Sequence, residues 1–537
     1  MIKKISAKLS GSIAGGAMII AFFSVCSRFL GLLRDHLLAG KFGAGEVLDT
    51  YYAAFRLPDL IFNTLVLGAL SAAFIPVFLE HWVKNKDEAW KITNSFLNLL
   101  FLTLFIFSVI FFIFTPQLVA TIIAPGFDLE RKKLTVDLTR VMLFSILFFS
   151  VSNVVSSVLN SFKKFFAYSL APVVYNLGII IGILFLVPRY GNAGLALGVV
   201  LGAFLHLIVQ IPTLLKLGFK WQPILNFSPA VKKIGFLMLP RVFALAANQI
   251  SKLVTTVIAS TLTVGSIAVY NLADNLQSFP IGIFGISLAI SAFPYFSESV
   301  SNGDLKKFSD HFSITFRRIL FLIIPSSVLI LLLRAQITRL VLGSGLFSWR
   351  DTILTLDTLG YFSLSIFAQA LIPLLTRAFY AFQNTKTPVL ISIFSLIVNI
   401  FLAVILGNRI GVAGLALAFS IATIINFILL FSILKFKVHF LKGRKFIFSL
   451  AKITIASSIM ALIVQAAKSL AGAMVNMDTF SGVLIQTLIS ILIGVFSFLI
   501  LAFLLRCGEA PHLSYKKIML GRNKVEGDSA AKTNKLT

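Results

Sequence analysis

Six charged residues lie inside or beside the first two hydrophobic segments of the chain: Arg28, Arg34, Asp35, Asp49, Arg56 and Asp59. A charged side chain at the centre of a bilayer costs about 2.5–3.5 kcal/mol on insertion scales, so such residues usually face a protein interior or water. The chemistry open to them is therefore of two kinds. They form ion pairs within the membrane, or they line a polar cavity that receives a charged ligand.

The composition places these charges in a membrane protein. Of 537 residues, 58% are hydrophobic and only 12% are charged, whereas soluble domains carry about 25% charged residues. The net charge of +27 does not indicate a nucleic-acid partner, because lysine and arginine collect in the cytoplasmic loops of membrane proteins. The two cysteines and six histidines show no spacing of a disulfide framework or metal site, and no cofactor is predicted.

Apolar runs predict an all-α polytopic protein with about fourteen transmembrane helices, called spans 1 to 14. They lie near 12–40, 49–82, 92–122, 134–162, 169–187, 192–215, 230–261, 265–297, 312–342, 352–382, 387–407, 411–435, 446–470 and 480–506. With residues 1–11 placed in the cytoplasm, the inside loops hold 29 basic residues and the outside loops hold 8. This asymmetry predicts that both termini, including the polar tail 507–537, are cytoplasmic.

A repeat is present within the spans. The sequence GNAGLAL begins at Gly191 and GVAGLAL begins at Gly411, an offset of 220 residues. Four further pairs keep nearly the same offset: Gly45 with Gly265, Pro58 with Pro280, Pro76 with Pro294, and Pro172 with Pro388. The pattern predicts two parallel six-helix lobes, 12–220 and 230–435, with residues 446–506 as two additional helices. Lobes of this kind enclose a central cavity, which favours a transporter over a channel or an enzyme.

Ten basic residues lie within or at the ends of spans, and their depth ranks them. Arg334, Arg339 and Lys452 are near enough to helix ends to snorkel. Arg28 lies in the middle of span 1, and Lys252 lies in the middle of its repeat partner, span 7. These two are the strongest candidates for a cationic cavity. The alternative is an intramembrane ion pair, for example with Asp35, Asp59 or Asp274.

Local signals predict the entry and the bending of span 2. Gly43 and Gly45 mark the turn after span 1, and Asp49 follows as an expected N-cap of span 2. Pro58 and Pro280 lie well inside spans 2 and 8, where a proline removes a backbone hydrogen bond and kinks the helix. They are therefore predicted hinges, although in a static bundle they would only shape the packing.

Several stretches resemble the lipid II flippases of the MurJ (MviN) family. The carriers of this resemblance are SRFLGLLRD, FGAG, VLDTYYAAFRLPD and GALSAAFIPVF near the N-terminus, then LADNLQSFPIGIFGISLA in span 8 and RAFYAFQNTKTPV at 377–389. The family belongs to a superfamily of multidrug and polysaccharide exporters with two six-helix lobes. The resemblance runs in order through spans 1 to 12.

The resemblance implies a substrate and an energy source. The substrate would be undecaprenyl-diphosphate bearing the peptidoglycan disaccharide-pentapeptide, moved from the inner to the outer leaflet of the bacterial cytoplasmic membrane. Membrane potential would drive the cycle, with an unidentified coupling ion, and the partners would be membrane lipids and cell-wall synthesis machinery. The additional helices 446–506 resemble the pair that forms a groove for the polyprenyl tail.

The match at the expected site is incomplete. Arg28, Arg34 and Asp49 match functional residues of the family, but its Arg-Arg pair in span 2 aligns with Phe62-Asn63 and its glutamate with Leu67. Its Asp-Arg in span 8 reads Asp274-Asn275. Arg241 and Lys252 would restore the missing positive charge from span 7. The predicted substrate site comprises Arg28, Arg34, Asp49, Asn63, Arg241, Lys252, Asp274 and Asn275.

Other interpretations stay open at this point. The chain could export another polyprenyl-diphosphate-linked glycan, or be an inactive paralogue that lacks the usual cavity arginines. A drug exporter of the same superfamily would favour cavity carboxylates to bind organic cations, whereas the candidate cavity here is basic. The sequence carries no H-E-x-x-H, G-x-S-x-G or Asp-rich metal motif, so an enzyme is not predicted.

Overall fold

The structure, a computed structural model, describes residues 13–67, 70–438 and 444–509. Throughout these ranges the chain forms helices and no strand, as the composition predicted. Ten of the helices described are long and apolar enough to cross a membrane, or eleven if one bent pair forms a single span. The described residues predicted for spans 1, 2 and 7 are mostly helical but are not among those eleven. The number fourteen therefore stays a prediction.

The first part of the chain, up to Ser260, forms eleven helices in the described residues. In order they are α1 (Ile13–Phe42), α2 (Glu46–Ala54), α3 (Arg56–Ile61), α4 (Leu70–Lys84), α5 (Lys86–Leu118), α6 (Leu129–Ser161), α7 (Phe165–Ile181), α8 (Val187–Tyr190), α9 (Ala193–Ile208), α10 (Ile211–Lys216) and α11 (Pro229–Ser260). In the described part of the chain, four short π-helical segments lie between or at the ends of helices, at Phe62–Leu67, Val119–Ile123, Gly182–Leu186 and Ile281–Ile286.

The second part continues with the remaining helices. They are α12 (Ser266–Pro280), α13 (Ser287–Ser301), α14 (Leu305–Leu332), α15 (Arg334–Leu342), α16 (Trp349–Ser363), α17 (Ile366–Ala381), α18 (Lys386–Ile410), α19 (Val412–Lys437), α20 (Arg444–Met474) and α21 (Phe480–Leu504). Helices α16 and α17 bend by 45° where they meet.

The helices form two compact units. The first unit contains 13–276 of the described residues together with Val341–Thr358 and Leu396–Phe419, and the second contains Gln277–Leu340, Leu359–Ser395 and 420–509. The first has an aromatic core that includes Phe74, Phe78 and Phe96, which pack against Trp82 and Trp90.

The second unit has its own core. Phe296, Phe308 and Phe312 are each fully buried in it, and their rings lie 5.3 to 6.1 Å apart. Helices α14, α17, α20 and α21 all contribute side chains to this cluster. The abundant phenylalanines thus serve both units as apolar packing groups.

The predicted single helix 49–82 is broken in the structure. A turn at Phe55 separates α2 from α3, three residues before Pro58, and the π-helical segment Phe62–Leu67 follows. The proline ring clashes with the carbonyl four residues earlier, which is Ala54, and this accounts for the break. Pro280 ends α12 and is followed directly by the π-helical segment Ile281–Ile286. Both predicted hinge prolines therefore precede a π-helical segment, although hinge motion itself stays a prediction.

One glycine pair of the predicted repeat shares a backbone conformation, and the repeat itself stays a prediction. Gly191 and Gly411 both adopt left-handed φ values, 57° and 64°, a conformation that glycine reaches without a steric penalty. The pair Gly45 and Gly265 does not share a conformation, because Gly45 is extended while Gly265 has a φ of 92°. The glycines of the first pair therefore share both the offset and the backbone conformation, whereas those of the second pair share only the offset.

Candidate functional site

A set of charged residues within the first unit, here called the charged cluster, consists of Arg34, Asp35, Arg56, Asp59, Lys252 and Asp274. Helix α1 supplies its best-defined pair. Arg34 donates to Asp35 Oδ1 from Nε at 3.1 Å and from Nη2 at 2.9 Å. Asp35 is only 2% exposed, so its charge depends on these partners.

Amide side chains extend this pair to two other helices. Arg34 Nη1 donates to Asn176 Oδ1 of α7 at 3.2 Å, and Asn275 Nδ2 of α12 donates to Asp35 Oδ2 at 2.9 Å. Asn176 in turn donates to the backbone carbonyl and side chain of Ser27. The line from Asn176 through Arg34 and Asp35 to Asn275 therefore connects α7, α1 and α12 by hydrogen bonds.

Arg56 forms the second cationic centre of the charged cluster. Its Nε donates to Thr256 Oγ1 of α11 at 2.7 Å, and its Nη2 donates to Asn271 Oδ1 of α12 at 2.6 Å. It also interacts electrostatically with Asp59 and Asp274. Arg56 therefore contributes to the same group of helices as Arg34, from the start of α3.

Asp59 lies within electrostatic range of cations on three helices. It interacts with Lys252 of α11, Arg56 of α3 and Arg34 of α1. Lys252 is itself exposed. The charged cluster contains three basic and three acidic side chains, so its formal charge is balanced. The sequence predicted a predominantly basic cavity, and it anticipated ion pairs with these aspartates as the alternative.

A small cavity of about 130 Å³ opens beside the charged cluster. Asp59 and Asn63 line one side of it, with Pro58 between the turn and the π-helical segment. Phe149 and Tyr175 line the other side from α6 and α7. Asn63 therefore lies next to the charged cluster, with an uncharged amide where the resemblance leads one to expect an arginine.

Asp49 does not cap span 2, and this prediction was wrong. The N-cap of α2 is Gly45, and Asp49 lies one turn inside the helix. Its two carboxylate oxygens accept from the backbone N–H groups of Gly265 at 2.7 Å and Ala268 at 2.8 Å. These groups lie at the N-terminus of α12, where the helix dipole favours a negative charge. Asp49 thus caps α12, and both of its oxygens are occupied.

For the remaining predicted site residues, the structure defines fewer side-chain contacts. Arg28 lies in the middle of α1 and is half-buried. Arg241 falls within α11, but its side chain lies outside the described part of the structure. Asp274 and Asn275 stand on α12 within the charged cluster and its hydrogen-bonded extension.

Sequence reasoning missed the uncharged members of this arrangement. Asn176, Thr256 and Asn271 each accept a hydrogen bond from an arginine. The signal that could have found them is a carboxamide or hydroxyl residue within an otherwise apolar span, where a polar group needs a partner. Such residues are frequent in this chain, so the signal alone would not have selected these three.

Comparison with known proteins identifies the family. A sequence model described as "Lipid II flippase MurJ" matches residues 38–494. The chain belongs to the lipid II flippase MurJ family. A probable lipid II flippase MurJ of Thermotoga maritima is 32% identical over 488 residues, which cover 91% of this chain and 95% of that protein. The lipid II flippase MurJ of Burkholderia cenocepacia is 30% identical over 426 residues, covering 77% and 82% of the two chains.

Solved structures agree with membership of the MurJ family. The structure of a lipid II flippase MurJ in an inward closed conformation superposes with a TM-score of 0.76 at 28% identity, and it covers 90% of this chain and 99% of that one. An inward-facing multidrug resistance MATE family transporter of the MOP superfamily superposes with a TM-score of 0.68 at 15% identity, covering 77% and 94%. The second likeness concerns the fold alone.

Two departures from the MurJ resemblance can now be located. Asn63 lines the cavity beside Asp59, and Asn275 donates to Asp35. An arginine at either position would add positive charge next to an aspartate. The two asparagines add no charge, so the charge of the cluster stays balanced, and Asn275 keeps a polar contact with Asp35. The side chain of Leu67, the third departure, lies outside the described part of the structure.

Proposed function

We propose that this protein moves lipid II from the inner to the outer leaflet of the bacterial cytoplasmic membrane by alternating access. Membership of the MurJ family carries this proposal. The charged cluster supports it, because charged residues inside a membrane-spanning unit are costly and are usually retained where a charged group is bound or moved. A diphosphate headgroup cannot cross hydrocarbon without such compensation.

The geometry of the charged cluster suggests how a diphosphate would be received. Arg34 is held by a carboxylate and an amide, and Arg56 by a hydroxyl and an amide. These partners can be exchanged for phosphate oxygens. Arg34 uses three of its nitrogens on Asp35 and Asn176, and a bidentate phosphate contact would replace the weaker of these bonds. The site proposed for this exchange comprises the charged cluster with Arg28, Arg241, Asn63 and Asn275. Asp49 is proposed to act by holding α12 in place.

The remaining parts of the proposal concern the cycle and its surroundings. Membrane potential offers about 2.3 kcal/mol per elementary charge per 100 mV, and the charged side chains of the cluster would respond to it. Pro58 and Pro280, each followed by a π-helical segment, would act as hinges of the two lobes, 12–220 and 230–435. Residues 446–506 would hold the polyprenyl tail, and both termini would be cytoplasmic, near cell-wall synthesis machinery.

Complementation tests the identity of the substrate. The unmodified gene is expected to restore growth and normal shape to a bacterium depleted of its own lipid II flippase, with lipid II reaching the outer leaflet. Equal expression without rescue, together with transport of another polyprenyl-diphosphate glycan, would instead identify an exporter of that glycan. An absence of any transport would identify an inactive paralogue.

The contribution of individual cations can be tested in the same strain. Arg28→Ala is expected to abolish flipping, and Lys252→Ala is expected to reduce it severely, since both remove a cation from the proposed diphosphate site. Adding arginine at positions 62 and 63 should be tolerated. Arg189→Ala is the matched control, because Arg189 is exposed at the end of α8. Rescue by Lys252→Ala equal to that by Arg189→Ala would remove Lys252 from the site.

A further inference from the structure

A helix-free segment, residues 217–228, joins α10 to α11 in the first unit and is here called the connecting segment. It links the two predicted lobes. Its beginning is anchored in the aromatic core of the unit, because Phe219 is buried there and its ring centroid lies 5.5 Å from that of Trp90. From Trp221 to Phe227 most side chains of the segment are exposed.

Two asparagines of α5 hold the backbone of the connecting segment. Asn94 is fully buried; its Nδ2 donates to the Lys220 carbonyl at 3.0 Å, and its Oδ1 accepts from the Gln222 N–H at 3.0 Å. Asn98, one turn later on the same face, donates to the carbonyls of Gln222 at 2.7 Å and Ile224 at 3.0 Å. The segment therefore follows a fixed path along α5.

Three large apolar side chains project from this fixed backbone and are here called the apolar triplet. Trp221 is 64% exposed, Leu225 57% and Phe227 65%. The indole Nε1 of Trp221 donates to Asn98 Oδ1 at 3.0 Å, so the polar edge of the ring is satisfied while much of the ring stays accessible. Grouped apolar side chains that the fold leaves exposed mark a surface that contacts a membrane or another protein.

The position of the apolar triplet along α5 is that of a membrane boundary. The last charged residue of α5 is Lys91, and its exposed large apolar side chains begin at Phe101. Asn98, which holds Trp221, lies between the two, about 10 Å beyond Lys91 at the rise of an α-helix. Tryptophan is favoured at this level, where a membrane protein passes from water into hydrocarbon.

The charge beside the apolar triplet is positive. Lys216 and Lys220 are exposed at the end of α10 and in the connecting segment, and neither forms an ion pair within the described residues. The sequence contains no aspartate or glutamate between Asp137 and Asp274. The surface therefore combines apolar rings with lysines that lack a carboxylate partner, and its complement is an anionic surface with an apolar interior.

We propose that the connecting segment binds the surface of a bilayer that contains anionic phospholipids. Trp221, Leu225 and Phe227 enter between the headgroups, and Lys216 and Lys220 contact lipid phosphates. In the predicted orientation this surface is the inner leaflet, whose anionic lipids attract basic residues next to membrane spans. A protein partner is disfavoured, because at this depth it would have to displace headgroups from α5. The inference does not depend on the proposed transport function.

Fluorescence of Trp221 tests the contact in the full-length protein reconstituted in nanodiscs. The discs contain equal amounts of phosphatidylcholine and phosphatidylglycerol, and the acyl chains of one lipid at a time are brominated near the carbonyl. The signal of Trp221 is the difference between the unmodified protein and Trp221→Phe. Both brominated lipids should quench it, and phosphatidylglycerol should do so roughly twofold more strongly.

Either of two results in the unmodified protein would overturn the proposal. An absence of quenching by both lipids would show that the apolar triplet does not reach the bilayer, and it would favour a protein-binding surface. Equal quenching by phosphatidylcholine and phosphatidylglycerol would show that the contact does not select anionic lipid.

A double variant tests the role of the two lysines. Lys216→Gln/Lys220→Gln should make quenching by the two lipids equal. The matched control is Lys84→Gln/Lys233→Gln, which also removes two exposed positive charges, but from lysines that already contact Glu80 at 3.3 and 3.1 Å. The control should keep the preference for phosphatidylglycerol. Equal loss of this preference in both variants would mean that net charge attracts the lipid, and the assignment to the connecting segment would fail.

A further variant tests the apolar triplet without touching a cation. In Leu225→Ser/Phe227→Ser the segment loses two of its apolar contacts, so quenching of Trp221 by acrylamide, which acts from water, should rise while quenching by brominated lipid falls. Leu346→Ser is the control, because Leu346 is also a largely exposed leucine, at 69%, but lies outside the connecting segment. Unchanged quenching in Leu225→Ser/Phe227→Ser would overturn the insertion of the triplet.

Discussion

The two units use different chemistry to join their helices. In the first unit, α1, α3, α11 and α12 meet through the charged cluster and the amides around it. In the second unit, several polar contacts between spans are uncharged. Its charged contacts, such as Lys468 Nζ with the Leu332 carbonyl at 3.1 Å and Arg317 with Glu509 at 3.2 Å, involve a group at or beyond a helix end. Gln369 donates to Gln277 at 2.8 Å and to Ser365 at 3.0 Å, and Ser365 lies 2.9 Å from Ser420.

A second uncharged contact of the same kind joins other helices of the second unit. Gln336 of α15 donates to Gln486 of α21 at 3.0 Å, and Gln486 donates to the Lys468 carbonyl of α20 at 2.9 Å. Such amide contacts hold membrane helices together at modest energy, about 0.6 kcal/mol on average. Helix association therefore does not require buried charge. The charged cluster of the first unit needs another reason, and substrate binding or response to membrane potential provides one.

The largest effect is expected from breaking the best-defined ion pair. Among the described residues, Arg34→Gln removes the cation paired with buried Asp35 and leaves it the hydrogen bond from Asn275. Breaking a buried ion pair in this way typically costs about 3–5 kcal/mol. The free energy of unfolding in detergent should fall by that amount. The control is Lys233→Gln, which removes an exposed ion pair with Glu80, where about 0.2–1 kcal/mol is expected.

The double variant Arg34→Gln/Asp35→Asn sharpens this result. It removes both charges together, so most of the lost stability should return while flipping stays impaired. If Arg34→Gln alone costs no more than Lys233→Gln, the pair does not stabilise the first unit, and the contrast with the second unit fails at this point.

A smaller effect is expected at Asp49, whose charge is satisfied by backbone groups instead of a cation. In Asp49→Asn the amide oxygen can accept from one N–H of α12, but the NH₂ group then faces the other. Loss of a hydrogen bond to a charged group costs about 1.5–3 kcal/mol. Thermal unfolding should report this loss, and Asp137→Asn is the control because Asp137 is exposed on α6. An unchanged unfolding midpoint in Asp49→Asn would show that the cap contributes nothing to stability.

Asp49 also shows where sequence reasoning succeeds and where it stops. Its type and its place after a glycine turn predicted a helix cap, and it is one. The helix that it caps begins more than 200 residues later, and a single sequence gives no means to choose a partner at that distance. The predicted repeat gave a partial indication of this partner, because its offset paired Gly45, which lies near Asp49 in sequence, with Gly265.

The backbone was predictable to the extent that local residues determine it. The break near Pro58 and the left-handed turns at Gly191 and Gly411 follow from the stereochemistry of proline and glycine. The π-helical segments after Pro58 and Pro280 were not predicted, because a π-helix has no comparable residue requirement. The balance of charge in the cluster was not predicted either. It depends on which aspartates lie near Arg56 and Lys252 in the folded chain, and the sequence alone does not give these distances.

The smallest effect is expected in the second unit. Gln336→Leu leaves one oxygen of Gln486 without its donor, while the apolar side chain suits the surrounding helices. A loss of about 0.6 kcal/mol, the average for such contacts, is expected in the free energy of unfolding. Gln486→Leu additionally frees the Lys468 carbonyl and should cost slightly more.

A double-mutant cycle on these two glutamines completes the comparison of the units. The coupling energy of Gln336 and Gln486 should be several times smaller than that of Arg34 and Asp35 measured under the same conditions. Flipping should also be retained in Gln336→Leu/Gln486→Leu, because uncharged contacts of this kind join helices without binding substrate. A coupling as large as that of the ion pair, or loss of flipping in the folded double variant, would mean that the second unit also depends on its buried polar groups for function.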